Sequence, residues 1–288
     1  MKNVNMGDFV FENVSRAFAF LSLIILIAIF LVLFDNANHA IREYGLGFIV
    51  SSEWAPNREL FGGWPAIFGT LVSTIIAMVV ATPVAIGIAV FLSEIAPAWL
   101  KQPVGSAIEL LAAIPSIIYG MWGLFEFAPY IRDIFGGNGI GVLTAGFILS
   151  VMILPFMAAI TRDSMDTTPD VLKESAYALG ATKWDVIKDV IIPYAKAGVF
   201  GSIVLALGRA LGETMAVTFV IGNVHKIPDT ILQPATNIPA TLANEFAEAD
   251  GDLYYSTLFY LALILFVISL VVISFAKFYL LRDLRRKK

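Results

Sequence analysis

The sequence predicts an all-α polytopic membrane protein with six transmembrane helices, and three observations carry that expectation. Hydrophobic residues make up 58% of the chain and charged residues 15%, whereas soluble domains run nearer a quarter charged. Six apolar runs recur, near residues 17–34, 64–93, 104–127, 139–161, 198–220 and 253–276, and each can cross a hydrocarbon core of about 30 Å as a helix. One stretch, 162–196, is polar and charged in an otherwise apolar chain. Helix is the expected element because backbone in lipid must satisfy its own hydrogen bonds. Residues 1–288 read as a single transmembrane domain, with 162–196 as a loop inside it.

The first run, Ala17 to Phe34, is longer than a typical signal-peptide core, and Asp35 to Ala40 offers no small-x-small cleavage pattern, so it reads as a retained helix. The segment 35–63 carries Trp54 and Phe61, followed by Trp64, as expected interface anchors. Pro83, Pro115 and Pro155 fall inside the second, third and fourth runs, where each removes a backbone donor and is expected to kink its helix. Glu109, about one turn into the third run, is expected to snorkel to the interface. Ser116 and Tyr119 follow Pro115 and are candidate pathway residues, with bundle packing an equal explanation. The segment 221–252 contains Pro228, Pro234 and Pro239, then Ala240 to Ala249 in a pattern that permits a short helix.

Direction follows from the cations. One side receives Lys2, Arg16, Lys101, the cations from Arg162 to Lys196, and Lys277 with the Arg282–Lys288 cluster. The other receives only Arg42, Arg58, Arg132 and Lys226. The first side is therefore expected to be cytoplasmic, with both termini inside and the terminal cluster held at anionic headgroups. The chain has no cysteine, which excludes thiolate catalysis and thiolate metal sites. His39 and His225 lack a second ligand at metal spacing. The net charge of −4, without a basic stripe, points away from nucleic acid. No glycine-rich phosphate loop ends in Lys-Ser or Lys-Thr, so the chain is not expected to hydrolyse ATP or to bind a cofactor or metal.

Within 162–196, Thr168 is expected to cap a helix, with Pro169 in its first position and Asp170 complementing its positive end. That helix should run to about Leu179 and close on Gly180 in the left-handed conformation. Thr182 with Asp185 marks a second start, and Pro193 lies near the next membrane entry. Trp184 offers an aromatic anchor, and Lys173 has Glu174 and Asp170 as local partners. The product is a helix, a glycine corner and a second helix, a handle by which another subunit can move this one; a solvated interhelix loop is the plainer alternative.

The fifth run contains Arg209. A helix entered near Gly198 places it about 16 Å along, near mid-bilayer, with Glu213 four residues on and on the same face. An arginine there costs roughly 2.5–3.5 kcal/mol on insertion scales, which suggests a compensating partner and a function. An internal Arg209–Glu213 ion pair is the structural option. An anion contact is the functional one, because the guanidinium fork holds two oxyanion oxygens and stays charged. Gly208 and Gly212 permit a close helix approach.

Two sets of residues resemble a known family. Glu174-Ser175-Ala176, Gly180 and Val190-Ile191-Ile192-Pro193 match in spacing the cytoplasmic EAA loop of ABC importer membrane subunits. Leu207 to Val217, Ile108 to Gly120 and Ile238 to Phe246 resemble phosphate ABC permeases of the PstC type. The resemblance implies a type I importer permease (MetI-like) fold in a prokaryotic inner membrane. It implies a second, PstA-like permease, an ATPase dimer that binds ATP-Mg, and an extracytoplasmic phosphate-binding protein. It maps the substrate pathway to Arg209 and Glu213, and ATPase coupling to Glu174, Ser175, Ala176, Gly180, Trp184 and Pro193. Permeation of sulfate or molybdate, or an ion-coupled carrier in which Glu213 titrates, are the alternatives.

Overall fold

The computed structural model describes the backbone of residues 6–286. Lys2, Lys287 and Lys288 lie outside the described residues, as do the side chains of Arg282, Arg285 and Arg286, and with them the expected headgroup anchor. The chain runs through α1 (Met6–Tyr44), α2 (Trp64–Ile95), α3 (Ala98–Ala112), α4 (Ser116–Phe135), α5 (Val142–Asp166), α6 (Asp170–Ala178), α7 (Lys183–Leu211), α8 (Met215–Ile221), α9 (Ile238–Glu245) and α10 (Asp252–Arg286). Among the described residues α1, α2, α5, α7 and α10 are each long and apolar enough to cross a membrane.

The third expected span is not a single rod. α3 and α4 meet at 91° across Ala113–Pro115. Pro115 has no N–H for the Leu111 carbonyl, and the chain answers with a tight turn: the Ala113 and Ile114 amides donate to Leu110 and Leu111 at 3.1 and 3.2 Å. The fifth expected span is corrected at both ends. Its helix starts at Lys183 and stops at Leu211, and Gly212-Glu213-Thr214 is unwound before α8.

α5 is the central helix, with buried residues along its whole length from Val142 to Met165. α2 lays Ala77, Ala81, Ala85 and Ala89, all fully buried and four residues apart, into the interior. Small side chains at that spacing let the backbones approach, which is how helices gain dispersion energy where lipid removes the hydrophobic drive between them. α1 joins the bundle late in its length. Ser256 of α10 accepts from the Ala40 amide at 2.9 Å and donates to the Asn36 carbonyl at 2.7 Å.

At the end of the bundle away from α6, residues 221–252 fold back onto α2. Thr70 accepts from the Ile238 amide at 2.9 Å, and Gly69 sits against the Thr236 carbonyl with no room for a side chain. Asn237 caps α9 by accepting from the Ala240 amide at 2.8 Å, so the helix begins earlier and ends sooner than the alanines suggest.

Trp54 and Phe61 are not interface anchors. Phe61 is buried, and Trp54 stacks on His225 at 4.5 Å between ring centroids. His225 Nε2 lies 3.1 Å from Glu245 Oε1, and the Tyr254 hydroxyl donates to the other carboxylate oxygen. This clip ties both long connecting segments to α10.

Two outcomes follow. Gly69→Ala pushes a methyl into the Thr236 carbonyl and is expected to cost about 1–3 kcal/mol, read as a lower Tm of the detergent-purified protein. The bond from His225, aided by Tyr254 and opposed by burial, holds the Glu245 carboxyl below its usual 4.5. A depressed carboxylate contributes stability that is full above the unfolded value and is lost as pH falls through the folded one. The clip is therefore expected to hold at neutral pH and to loosen below 4.5, seen as faster hydrogen exchange around residues 223–226 once intrinsic rates are corrected.

Candidate functional site

The polar handle folds by local rules at its corner and by tertiary contacts at its start. α6 begins at Asp170, after Pro169 with an extended ψ of 133°. Thr168 does not cap it. Its side chain is buried, and its hydroxyl has no partner. Asp170 alone complements the positive helix end. The exit follows expectation: Gly180 takes φ +86°, and the Ala181 amide reaches back to the Ala176 carbonyl at 3.1 Å. Thr182 and Asp185 form a reciprocal capping box, with the Thr182 amide donating to Asp185 at 2.9 Å and the Asp185 amide to the Thr182 hydroxyl at 3.3 Å. The second helix is not a separate element. It is the first turn of α7.

The corner presents apolar side chains to the outside. Leu179 is 89% exposed, Val171 71% and Trp184 63%, while Glu174, Ser175 and Gly180 are also exposed. Ala176 is half-buried against α7. Exposed apolar side chains gathered on a charged loop make this corner a candidate docking surface.

Three helical stretches widen to π turns, at Phe91–Ile95, Gly123–Phe127 and Val186–Ile191, and each is followed two residues later by a proline: Pro97, Pro129 and Pro193. A proline ring clashes with the carbonyl four residues before it and has no N–H to donate to it. Widening the preceding turn moves that carbonyl aside. Pro193 can thus sit within the continuous α7.

Pro97 has a further effect. The carbonyl it leaves without a donor is that of Ser93, and Lys101 Nζ donates to it at 2.5 Å. The Ser93 hydroxyl donates to Asp166 Oδ1 at 2.7 Å, with Glu94 Oε1 3.1 Å away. Glu94 in turn accepts from Lys173 of α6 at 2.8 Å. Asp170, the local partner expected for Lys173, stands at 4.0 Å, and Glu174 forms no ion pair among the described residues. Glu109, expected to snorkel, is exposed and accepts from Arg162 at 3.0 Å.

Arg209 lies two residues before Leu211, the end of α7, and is exposed. No ion pair joins it to Glu213 among the described residues. The unwinding at Gly212 removes the shared face, and Glu213 is turned to accept from the Ala216 amide at 3.1 Å, fixing the start of α8. Tyr119 is buried in α4, which packs against α8 just beyond the break. Its hydroxyl is committed to the Leu111 carbonyl at 2.8 Å, the group that Pro115 leaves without its helical donor. Ser116 is the half-buried first residue of α4. The structure therefore packs the helix of Tyr119 against α8, keeps Glu213 beside the break, and holds the handle at the far end of α7. Glu94, Ser93 and Asp166 were not among the residues expected to matter.

Tyr119→Phe removes the hydroxyl that holds the bend. A loss of about 1 kcal/mol in unfolding stability is expected, with faster exchange confined to 113–118.

Residues 81–286 match the family described as "Binding-protein-dependent transport system inner membrane component". The phosphate transport system permease protein PstC of Mesorhizobium japonicum is 48% identical, over 96% of this chain and 91% of its own length. That of Pasteurella multocida is 44% identical over 97% and 93%. A probable PstC of Methanocaldococcus jannaschii is 35% identical over 94% and 93%. Among solved structures, the MetNI methionine ABC transporter aligns with a TM-score of 0.56 at 22% identity, over 82% of this chain and 97% of that one. A bacterial ABC transporter that imports the acidic polysaccharide alginate aligns with a TM-score of 0.59 at 16% identity, over 95% and 98%. At these identities the two structures speak to the fold alone, which is that of ABC importer permeases.

Proposed function

The chain belongs to the family of binding-protein-dependent transport system inner membrane components, with PstC phosphate permeases among its relatives, and we propose that it forms half of the membrane pathway of an ATP-driven inorganic phosphate importer. It is a membrane transport subunit and not an enzyme. The family implies a partner permease, an ATPase and a substrate-binding protein. In our reading these are a PstA-like chain, a dimer that binds ATP-Mg, and an extracytoplasmic phosphate-binding protein. The protein sits in the prokaryotic inner membrane with both termini cytoplasmic, as its cation distribution favours.

One observation carries the cargo assignment: Arg209, exposed at the end of an apolar helix and without a carboxylate partner among the described residues. A charge that burdens insertion and is not neutralised internally is reserved for something that arrives. Phosphate delivered to an outward-facing cavity meets the guanidinium fork and exchanges water for two charge-assisted bonds. One cation is a weak trap, which suits passage because the anion must leave again. Glu213 borders the break that ends α7 and keeps Arg209 from being neutralised on its own helix. Tyr119 holds the α3–α4 bend beside it.

On the other side the ATPase receives the exposed patch of Glu174, Ser175, Leu179 and Trp184, with Gly180 shaping the corner and Pro193 at the entry into the membrane. Closure of the ATPase pair pushes α6, and because α7 begins at this corner the displacement enters the helix that carries Arg209. No bond of phosphate is made or broken.

In proteoliposomes matched for protein level, Arg209→Ala is expected to lower phosphate uptake by about ten-fold or more, the worth of a charge-assisted contact. Unchanged uptake would remove Arg209 from the pathway, and displacement of labelled phosphate by excess sulfate or molybdate would reassign the cargo. Gly180→Val forces a branched side chain into a left-handed conformation at about 1–2 kcal/mol. It is expected to reduce the ATPase that co-purifies with the chain, as is Trp184→Ala.

A further inference from the structure

The chain of contacts around Glu94 links α6 to an element it does not adjoin in sequence. We infer that the Glu94–Lys173 ion pair is a second mechanical anchor of the coupling helix, through which α2 carries nucleotide-driven movement to the outer segment around α9. The inference rests on the importer reading above and adds a route distinct from α7.

Three observations support it. First, the pair is built to hold. Glu94 and Lys173 side chains are 11% and 19% exposed, their atoms meet at 2.8 Å, and water and salt screen such a contact little. The remaining groups around it are tied as well, by Ser93 to Asp166 and by Lys101 to the Ser93 carbonyl. Second, both elements that grip α6 carry a widened turn at the grip: Phe91–Ile95 in α2 and Val186–Ile191 in α7. Wide turns of this kind recur at functional positions in helices. Third, the far end of α2 is fastened to the outer segment. Thr70 accepts from the Ile238 amide, and Gly69 abuts the Thr236 carbonyl without clearance. From Thr70 to Glu94 the helix spans about 36 Å, a bilayer's thickness. A displacement of α6 thus reaches α9 through a single helix pinned at both ends.

Glu94 is a positioning residue, and its test must separate transmission from mere stability. The chain has no cysteine, so Asn244→Cys places one reporter on the exposed face of α9. Its maleimide labelling rate is measured in the assembled complex in nanodiscs, with and without ATP-Mg. ATP hydrolysis is measured on the same samples. With the pair intact, nucleotide is expected to change the labelling rate by about five-fold or more. Adding Glu94→Gln should collapse that response while hydrolysis stays within about two-fold. Glu94→Asp combined with Lys173→Arg, which keeps both charges, should restore it.

The inference is overturned if the response survives Glu94→Gln, or if no response exists with the pair intact. It is equally overturned if hydrolysis falls together with the response, or if the charge-preserving pair does not restore it. Phosphate uptake by the unaltered complex is scored separately. Its absence overturns the cargo assignment, while the labelling response judges the anchor whatever the cargo is.

Discussion

A carbonyl that has lost its donor is the constraint on which this architecture depends. In hydrocarbon no water replaces a missing partner, so each proline in a spanning helix must be answered within the protein. Pro115 is answered by the Tyr119 hydroxyl and by a right-angle bend. Pro97 is answered by Lys101, which draws the start of α3 onto the end of α2. Pro129 and Pro193 are answered by widened turns. The bend sets α4 against α8, the helix that follows the break, and the Lys101 contact completes the cluster that receives Lys173. The turn before Pro193 keeps handle and pathway in one helix. Much of the functional geometry is the set of repairs that these prolines require.

Apolar run length made five spans legible, because one helix crossing one bilayer is a local property. The Gly180 corner and the Thr182 capping box were legible for the same reason, since each is closed by residues within six positions. Where the reading failed, a distant contact had overruled a local rule. Thr168 has the chemistry of a cap but is buried instead. Lys173 had two acids nearby in sequence and took one 79 positions away. Trp54 looks like an interface aromatic until His225 is brought over it. The break at Gly212 was hidden because hydropathy measures polarity and not continuity, and Leu207 to Val217 is apolar on both sides of it. One signal was present and went unread: a tyrosine four positions after a proline can return a hydroxyl to the carbonyl the proline orphans.

The two cations on which the proposals rest are treated in opposite ways. Lys173 is largely withdrawn from solvent and paired with a part-buried acid, Glu94, so its charge is held in place. Arg209 is left exposed, and the nearest candidate acid on its own chain segment is turned to serve the backbone of α8. A charge that fastens two elements is neutralised by its partner, and the one proposed to meet a transient anion has no carboxylate partner among the described residues. Composition alone does not separate these uses, because both residues are basic side chains near apolar helix surfaces.

The continuity of α7 bears on how this chain can vary. From the capping box at Thr182 the helix proceeds to Leu211 without an interruption, so the rotational phase between Trp184 and Arg209 is set by residue count. Inserting or deleting one residue between them turns Arg209 by about 100° around the axis and slides it about 1.5 Å. Substitutions along the same stretch leave that phase untouched. Between Trp184 and Arg209 a change of length therefore disturbs both ends of the helix at once, whichever residue is added or lost, whereas a substitution acts only where it stands.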